Sequence, residues 1–313
     1  MHSLSDHPAD PQARPATQPL SRVIVSVLLV GTFGLLAWAD ATAFLAAPPA
    51  WWLLPVALVL CLGGTDEMGR LFAAHGVVLP MRWLQLVTLA IPLAAAGGAG
   101  VFRSLATGGS PPTAIGWAAT ALMLAVGSLF VLEILRYRPQ SGALERVGGG
   151  ILVLAFVGLP LAFVVSLRLL GGDPSADPSA LGILPLVSTV AVVKAGDIAA
   201  YLVGSAIGRH RMAPRLSPGK TWQGAAASLV ASVATAGLLL GHLEFRLPLA
   251  WALFGLGVGM AGMCGDLAES LIKRETGAKD SGRSLGGLGG VLDLCDSLLF
   301  AAPMAWLFWN VAS

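Results

Sequence analysis

Long apolar stretches recur along the whole of this chain, and they constrain its fold more than any other feature. A helix needs about 20 apolar residues to cross a hydrocarbon core about 30 Å thick. Several stretches meet this requirement, and turn-forming sequences such as GGDPSADPS separate them. They lie at residues 23–46, 51–72, 79–100, 113–135, 148–170, 181–205, 223–242, 248–271 and 291–311. The pattern predicts an all-α, polytopic integral membrane protein with about nine transmembrane helices.

The composition supports this class of protein and argues against others. Of the 313 residues, 56% are hydrophobic and 12% are charged, whereas a soluble domain carries about 25% charged residues. A transmembrane β-barrel would show alternating segments of about 10 residues, and the apolar stretches here do not alternate. The net charge of +2 says little about partners. We expect the lipid bilayer, and no nucleic acid, as a partner.

The distribution of lysine and arginine predicts the orientation in the membrane. Cytoplasmic loops of membrane proteins carry an excess of these residues. With the N-terminus inside, most of the 19 Lys and Arg residues are cytoplasmic. Only Arg103, Arg168 and Arg246 are then outside, while Lys194 falls within a span. The sequence therefore predicts an N-in, C-out topology in the cell inner (cytoplasmic) membrane, with residues 1–22 as a disordered cytoplasmic tail.

Charged residues are concentrated in two segments, 194–223 and 266–296, which both face the cytoplasm in this topology. In the second segment, Asp266, Glu269 and Lys273 are spaced so that they share one helix face. Positive cytoplasmic loops need only lysine and arginine. The acidic residues therefore indicate that the two segments form one functional site.

Two carboxylates at the start of the last span indicate a metal ion. Asp293 and Asp296 are three positions apart, and two acids in one helical turn repel each other unless a cation lies between them. Mg²⁺, held by a few carboxylates together with substrate phosphates, would serve. Capping of the helix N-terminus is the alternative, although it does not account for Asp266. The sequence predicts a Mg²⁺ site formed by Asp266, Asp293 and Asp296.

The glycine-rich sequence GGLGG at 286–290 immediately precedes the last span. Glycine permits positive φ angles and close approach of the backbone, and a helix N-terminus can direct its N–H groups at an anion. Basic residues upstream, among them Lys279 and Arg283, indicate that this anion is phosphate. A flexible loop is the alternative explanation.

The sequence LSPGKTWQG at 216–224 is a second candidate for phosphate binding. Ser217, Lys220 and Thr221 lie in a tight Pro-Gly turn ahead of a predicted helix, where their side chains suit phosphate oxygens. The sequence is not a P-loop, because that motif requires an earlier glycine in register.

Ionisable residues also fall inside the predicted spans. Asp197 lies at membrane depth, which makes it a candidate functional residue that needs a partner. Lys194, one turn earlier, is that partner. Asp66 and Glu67 end the second span, where an interfacial position explains them equally well, and Asp40 is interpreted as incidental.

Three separated sequences together resemble the CDP-diacylglycerol synthase family, also called phosphatidate cytidylyltransferase. They are GDIAAYLVGSAIGRHRMAPRLSPGKTWQG, GDLAESLIKRETGAKDSG and GGLGGVLDLCDSLLF, in the family's order and spacing. The similarity is dense over residues 190–303. Residues 181–313 would then form the catalytic transmembrane region, and residues 23–180 the N-terminal transmembrane helices.

The resemblance implies transfer of a cytidylyl group from CTP to phosphatidic acid, giving CDP-diacylglycerol and pyrophosphate for phospholipid biosynthesis. It implies Mg²⁺ as the cofactor, with a monovalent cation such as K⁺ and a homodimer as open alternatives. Carried over by motif, the catalytic residues would be Asp266, Lys273, Arg274, Lys279, Asp280, Asp293 and Asp296. The substrate-binding residues would be Asp197, Tyr201, Ser217, Lys220, Thr221, Arg283, Gly287, Gly289 and Gly290.

The sequence departs from the family pattern at the start of the last span. The family's P-G-H-G-G is replaced by a run in which Gly286 and Leu288 stand for its proline and histidine, and its D-R-x-D has Leu294 for arginine. A histidine or arginine beside a triphosphate could bind phosphate or donate a proton to the leaving group. Two alternatives follow: a nucleotidyltransferase acting on another lipid phosphate, and a catalytically impaired paralogue that binds lipid or nucleotide. A transporter would need two repeated halves with broken helices, which the sequence does not show.

Overall fold

The computed structural model describes residues 18–42, 44–46, 48–101, 113–139, 142–170, 181–245, 247–278 and 289–312. Within these ranges the α-helices are α1 (Gln18–Ala41), α2 (Leu54–Ala74), α3 (Met81–Val101), α4 (Ala114–Leu135), α5 (Ala143–Val153), α6 (Leu159–Leu170), α7 (Leu184–Ile207), α8 (Trp222–Leu240), α9 (Ala250–Glu275) and α10 (Val291–Ala312). A short 3₁₀ helix follows α1 at Phe44–Ala46.

The N-terminal half packs around a core formed by α2, α3, α4 and α6. Leu84, Ile91 and Leu161 are among its fully buried side chains. α5 and α6 are joined into one helical segment by a π-helical turn at Leu154–Gly158. Because Pro160 has no N–H to donate, the regular hydrogen-bond ladder is interrupted at this point.

The C-terminal half is a bundle of α7, α8, α9 and α10 in which small residues bring the helices close together. A Cβ on Gly196 of α7 would lie 2.8 Å from Ser228 Oγ of α8, and a Cβ on Gly255 of α9 would lie 2.7 Å from the Ser232 carbonyl oxygen. Interfaces lined by glycine and serine are typical of helices that pack within membranes.

A two-stranded antiparallel hairpin lies between α7 and α8. Its strands are β1 (Arg211–Ala213) and β2 (Ser217–Thr221). The all-α prediction missed this element, because the short sequence APRLSPGKT contains no run long enough for a strand pattern to be recognised. The hairpin carries the predicted phosphate-binding residues on β2 rather than in an isolated turn.

The lengths and compositions of the helices confirm that the chain has the character of a membrane protein. Within the described part, six are long and apolar enough to span a bilayer: Ala114–Leu135, Ala143–Leu170, Leu184–Ile207, Trp222–Leu240, Ala250–Glu275 and Val291–Val311. Leu135, Val230 and Leu238 are 78%, 71% and 83% exposed, as expected where lipid rather than water covers the surface. The chain is a mostly helical, multi-pass membrane protein. The number of nine spans and the topology stay predictions.

The interpretation of Asp40 as incidental is wrong. Its carboxylate lies buried at the end of α1 and forms an ion pair with Arg168 at the end of α6. Arg168 also donates to the carbonyl oxygens of Gly182 and Asp40, at 3.4 Å each. The pair ties the first helix to the rest of the molecule.

Candidate active site

A cavity of about 660 Å³ opens between α7, the hairpin, α9 and α10. Four aspartates and three basic side chains line it, so charge is concentrated there although the protein is apolar. The charged lining residues are Asp197, Asp266, Asp293, Asp296, Lys194, Lys220 and Arg211. The two charged segments of the sequence therefore meet in one site, as predicted.

Helix α7 contributes Asp197 and its partner. Lys194 Nζ donates to Asp197 Oδ2 at 3.1 Å, which confirms the predicted pair. Ser297 of α10 donates to the other oxygen, Asp197 Oδ1, at 3.4 Å. Lys194 Nζ also lies 3.3 Å from the carbonyl oxygen of Leu294. The Lys194 ammonium group of α7 thus lies beside Leu294, which stands where the family pattern has arginine.

The hairpin places Lys220 opposite α9. Lys220 Nζ lies 2.9 Å from Asp266 Oδ2, and Ser217 and Thr221 line the same cavity. Thr221 is also the N-cap of α8, because its Oγ1 accepts a hydrogen bond from the Gly224 N–H at 3.1 Å. The cap thereby fixes where β2 ends and α8 begins, and Lys220 is the residue just before the cap.

Lys273 holds two carboxylates together beneath the cavity. Its Nζ lies 3.0 Å from Glu269 Oε2, one turn earlier on α9, and 2.6 Å from Asp293 Oδ1 of α10. The Glu269 side chain is buried. Lys273 is therefore placed to orient Asp293 rather than to reach the open cavity, a role that the sequence did not indicate.

The N-terminus of α10 differs from the predicted phosphate cradle. Gly289 has φ +100°, so the predicted need for glycine is confirmed there. However, the Gly290 N–H donates to Asp293 Oδ2 at 2.7 Å. The next two N–H groups, of Val291 and Leu292, donate to Glu67 of α2 at 2.9 Å each. Carboxylates of the protein take the positions that a phosphate would occupy, so these three N–H groups do not form the cradle.

Of the remaining predicted residues, two are described by the structure and the others are not. Tyr201 lines the cavity and is 75% exposed. Arg274 is not among the lining residues, and its Nε donates to the Leu216 carbonyl oxygen at 3.2 Å. Outside the described residues lie Lys279, Asp280, Arg283, Gly286, Gly287 and Leu288. Sequence reasoning did not select Arg211, Ser228 and Ser297 of the lining, although Arg211 and Ser297 lie within the sequences that carry the resemblance.

The carboxylates fit a hard cation in part. Asp266 and Asp296 line one cavity, and Asp296 is only 8% exposed. Asp293 is occupied by Lys273 and Gly290. No group of three or more His, Cys, Asp or Glu side chains within the described ranges is gathered around one point. One or two carboxylates with substrate phosphates are, however, the usual ligands of Mg²⁺, and Asp266 with Asp296 meets that requirement.

Comparison with known proteins identifies the family. The model of a group described as the cytidylyltransferase family matches residues 20–312, nearly the whole chain. This chain belongs to the cytidylyltransferase family. Membership agrees with the resemblance carried by the SPGKTW signature and by the aspartates of α9 and α10.

Individual relatives match shorter stretches. The phosphatidate cytidylyltransferase of Brucella melitensis is 47% identical over 146 residues, which cover 46% of this chain and 52% of that protein. The phosphatidate cytidylyltransferase of Mycobacterium bovis is 31% identical over 240 residues, 77% of each chain. A protein of Escherichia coli named Uncharacterized protein YnbB is 42% identical over 128 residues, 41% of this chain and 43% of that protein. The chain spans about half the length of the Brucella relative that it matches.

Proposed function

We propose that this protein transfers a cytidylyl group from CTP to phosphatidic acid, giving CDP-diacylglycerol and pyrophosphate. The observation that carries the proposal is the convergence of Asp197, Lys220, Asp266 and Asp296, from three separated motifs, on one polar cavity between membrane helices. Membership of the cytidylyltransferase family supports the nucleotide, and the phosphatidate cytidylyltransferases among its relatives support the lipid.

The chemical step requires little covalent work from the protein. A phosphate oxygen of phosphatidic acid attacks the α-phosphorus of CTP, a new P–O bond forms, and the bond to the β-phosphate oxygen breaks to release pyrophosphate. Positioning and charge neutralisation dominate the catalysis of such transfers. Lys220 and Lys194 would offset the negative charge of the triphosphate, and Ser217 would donate to a phosphate oxygen.

Asp266 and Asp296 are proposed to hold Mg²⁺, with Asp293 held beside them by Lys273. A bound Mg²⁺ would neutralise charge on the phosphate oxygens. Asp296 is the better buried of the two ligands, and Asp266 lies next to Lys220. K⁺ as a second ion and a homodimer stay predictions from the sequence.

The cavity is proposed to face the cytoplasm from the inner membrane. The N-in, C-out topology predicted from the sequence would place the hairpin and the start of α10 on the cytoplasmic side, where CTP is available. Exposed apolar residues of α7, such as Ile198 and Leu202, neighbour the lining residue Tyr201. Phosphatidic acid would enter along this face while its acyl chains stay in lipid.

The direct test is release of pyrophosphate from CTP by the purified protein with phosphatidic acid in detergent micelles. We expect turnover that requires both substrates and Mg²⁺, that stops with a chelator, and that excess Mg²⁺ restores. CDP-diacylglycerol should appear in equal amount. An absence of turnover under all these conditions would contradict the proposed function.

Leu288 and Leu294 stand where the family pattern has histidine and arginine. This difference motivates a test of the two alternatives, another lipid-phosphate acceptor and a catalytically impaired paralogue. A panel of lipid phosphates with radiolabelled CTP tests for another acceptor, which is expected to replace phosphatidic acid if the first alternative holds. The variant Leu288→His/Leu294→Arg tests for impaired catalysis. A large gain in rate from this variant would identify an impaired enzyme, whereas an unchanged rate supports Lys194 as a sufficient cation in this region.

We expect Gly265→Ala to reduce the transfer rate by about 100-fold. A Cβ on Gly265 of α9 would clash with the carbonyl oxygen of Asp296, which is backbone and cannot turn aside. α9 and α10 must then separate, and a displacement of about 1 Å at reacting groups can cost about that factor. The matched control is Gly257→Ala on the same helix pair, where the new Cβ would meet the flexible Met304 side chain at 3.4 Å. Equal rates for the two variants would contradict the prediction.

A further inference from the structure

Glu67 of α2 makes a contact that neither the motifs nor the family resemblance predicts. Its side chain is fully buried. Oε1 accepts a hydrogen bond from the Val291 N–H, and Oε2 accepts one from the Leu292 N–H, each at 2.9 Å. Arg70 lies at 4.0 Å and pairs more closely with Asp66, at 3.1 Å. This carboxylate therefore binds the N-terminus of another helix with both of its oxygens.

This arrangement is physically favourable for both groups. The first N–H groups of a helix have no partner within it, and the helix dipole places partial positive charge there. A carboxylate buried in a membrane protein needs compensation, and two charge-assisted hydrogen bonds supply it. Because each oxygen binds a different N–H, the contact fixes both the height and the rotation of α10 relative to α2.

The packing around the contact is close enough to make it rigid. Gly63 and Gly64 lie one turn before Glu67 on α2. A Cβ on Gly63 would lie 2.7 Å from Val291 Cγ2, and a Cβ on Gly64 would lie 3.2 Å from Leu292 Cδ2. The two glycines allow α2 to approach the start of α10, and the carboxylate then closes the gap between the backbones.

We propose that Glu67 is a positioning residue that holds the N-terminus of α10, and through it Asp293 and Asp296, in register with α9. Glu67 does not line the cavity, so we expect it to act on the site through α10. The inference rests on the proposed function for its catalytic consequence. The contact itself can be tested without any substrate or metal.

The first experiment measures amide hydrogen exchange by mass spectrometry on the substrate-free protein in detergent. In Glu67→Gln one oxygen is replaced by an NH₂ group that cannot accept, and the charge is lost. We expect peptides that cover the start of α10 to exchange about tenfold faster. The matched control is Asp66→Asn, which alters the neighbouring carboxylate that pairs with Arg70 and should leave these peptides unchanged. Unchanged exchange in Glu67→Gln would overturn the proposal.

The second experiment measures steady-state kinetics of the same variants. Loss of a residue that orients catalytic ligands typically costs about 10–100-fold in activity, so kcat of Glu67→Gln should fall by at least about tenfold. The KM values for CTP and phosphatidic acid should change less than kcat, because Lys194, Ser217 and Lys220 lie on α7 and the hairpin and not on α10. Faster exchange with an unchanged kcat would overturn the positioning role.

Two further outcomes are informative. If Glu67→Gln does not fold, Glu67→Asp keeps the charge with a shorter reach, and it should show faster exchange and lower kcat in the same direction. If the wild-type protein itself transfers no cytidylyl group, the proposed function fails, and the exchange experiment alone decides whether Glu67 holds α10.

Discussion

Asp296→Asn is expected to reduce cytidylyl transfer by about 10²–10³-fold while the protein stays folded. Asparagine keeps the shape of the side chain and the oxygen that accepts from the Ser297 N–H. It removes the charge that, with Asp266, is proposed to hold Mg²⁺ against the triphosphate. Stabilisation of developing charge is a large part of the rate enhancement in such transfers. The measurement is pyrophosphate release from CTP in the presence of phosphatidic acid.

The same substitution should not lower the apparent melting temperature. Asp296 is only 8% exposed, and the burial of a charged carboxylate costs free energy. A neutral amide removes that cost, and sites that sacrifice stability for activity behave in this way. The control Glu145→Gln alters an exposed carboxylate in the first turn of α5 and should change neither quantity. Wild-type activity in Asp296→Asn would remove Asp296 from the proposed metal site.

Asp293→Asn is also expected to abolish CTP turnover, but with a different signature. Asp293 accepts from Lys273 with one oxygen and from the Gly290 N–H with the other. Asparagine keeps only one accepting oxygen and no charge, so one of these bonds is lost and the start of α10 loosens. This variant should therefore have a lower activity and a lower melting temperature, whereas Asp296→Asn should have only a lower activity. Equal melting temperatures of the two variants would contradict this difference.

Much of the site could be predicted because its local spacings have direct structural meaning. Glu269 and Lys273 are four positions apart, and they pair on one helix face as expected. Lys194 and Asp197 do the same on α7. The grouping of α9 and α10 acids with the hairpin lysine followed from the predicted topology, in which both charged segments face the cytoplasm. These inferences needed only short-range geometry and the cost of burial.

The unpredicted features depend on which helices become neighbours. Glu67 and Val291 are 224 positions apart, so no sequence window contains both, and a carboxylate at the end of a span looks interfacial until α10 is placed beside it. The same contact takes the N–H groups of Val291 and Leu292, so these two cannot belong to the predicted phosphate cradle, whose residues 286–288 lie outside the described part of the chain. Capping rules identify a need for an acceptor but do not specify which helix provides it.

Arg168→Met is expected to destabilise the protein by about 3–5 kcal/mol, the usual cost of breaking a buried ion pair. Arg168 and Asp40 are only 2% and 3% exposed. Methionine fills a similar volume but leaves the Asp40 carboxylate buried without its counter-charge. Because α1 and α6 are joined by this pair, we expect an apparent melting temperature lower by roughly 10 °C in detergent. Activity per folded molecule should not change, since neither residue lines the cavity.

The double variant Asp40→Leu/Arg168→Met separates the cost of an unpaired charge from the loss of a useful interaction. Replacing a buried ion pair by apolar groups of similar volume is often neutral or stabilising, so most of the lost melting temperature should return. Asp40→Leu alone should be destabilised as well, because it leaves the guanidinium buried. A double variant that is no more stable than the single variants would contradict this expectation. It would mean that the ion pair stabilises the junction of α1 and α6 beyond neutralising two buried charges.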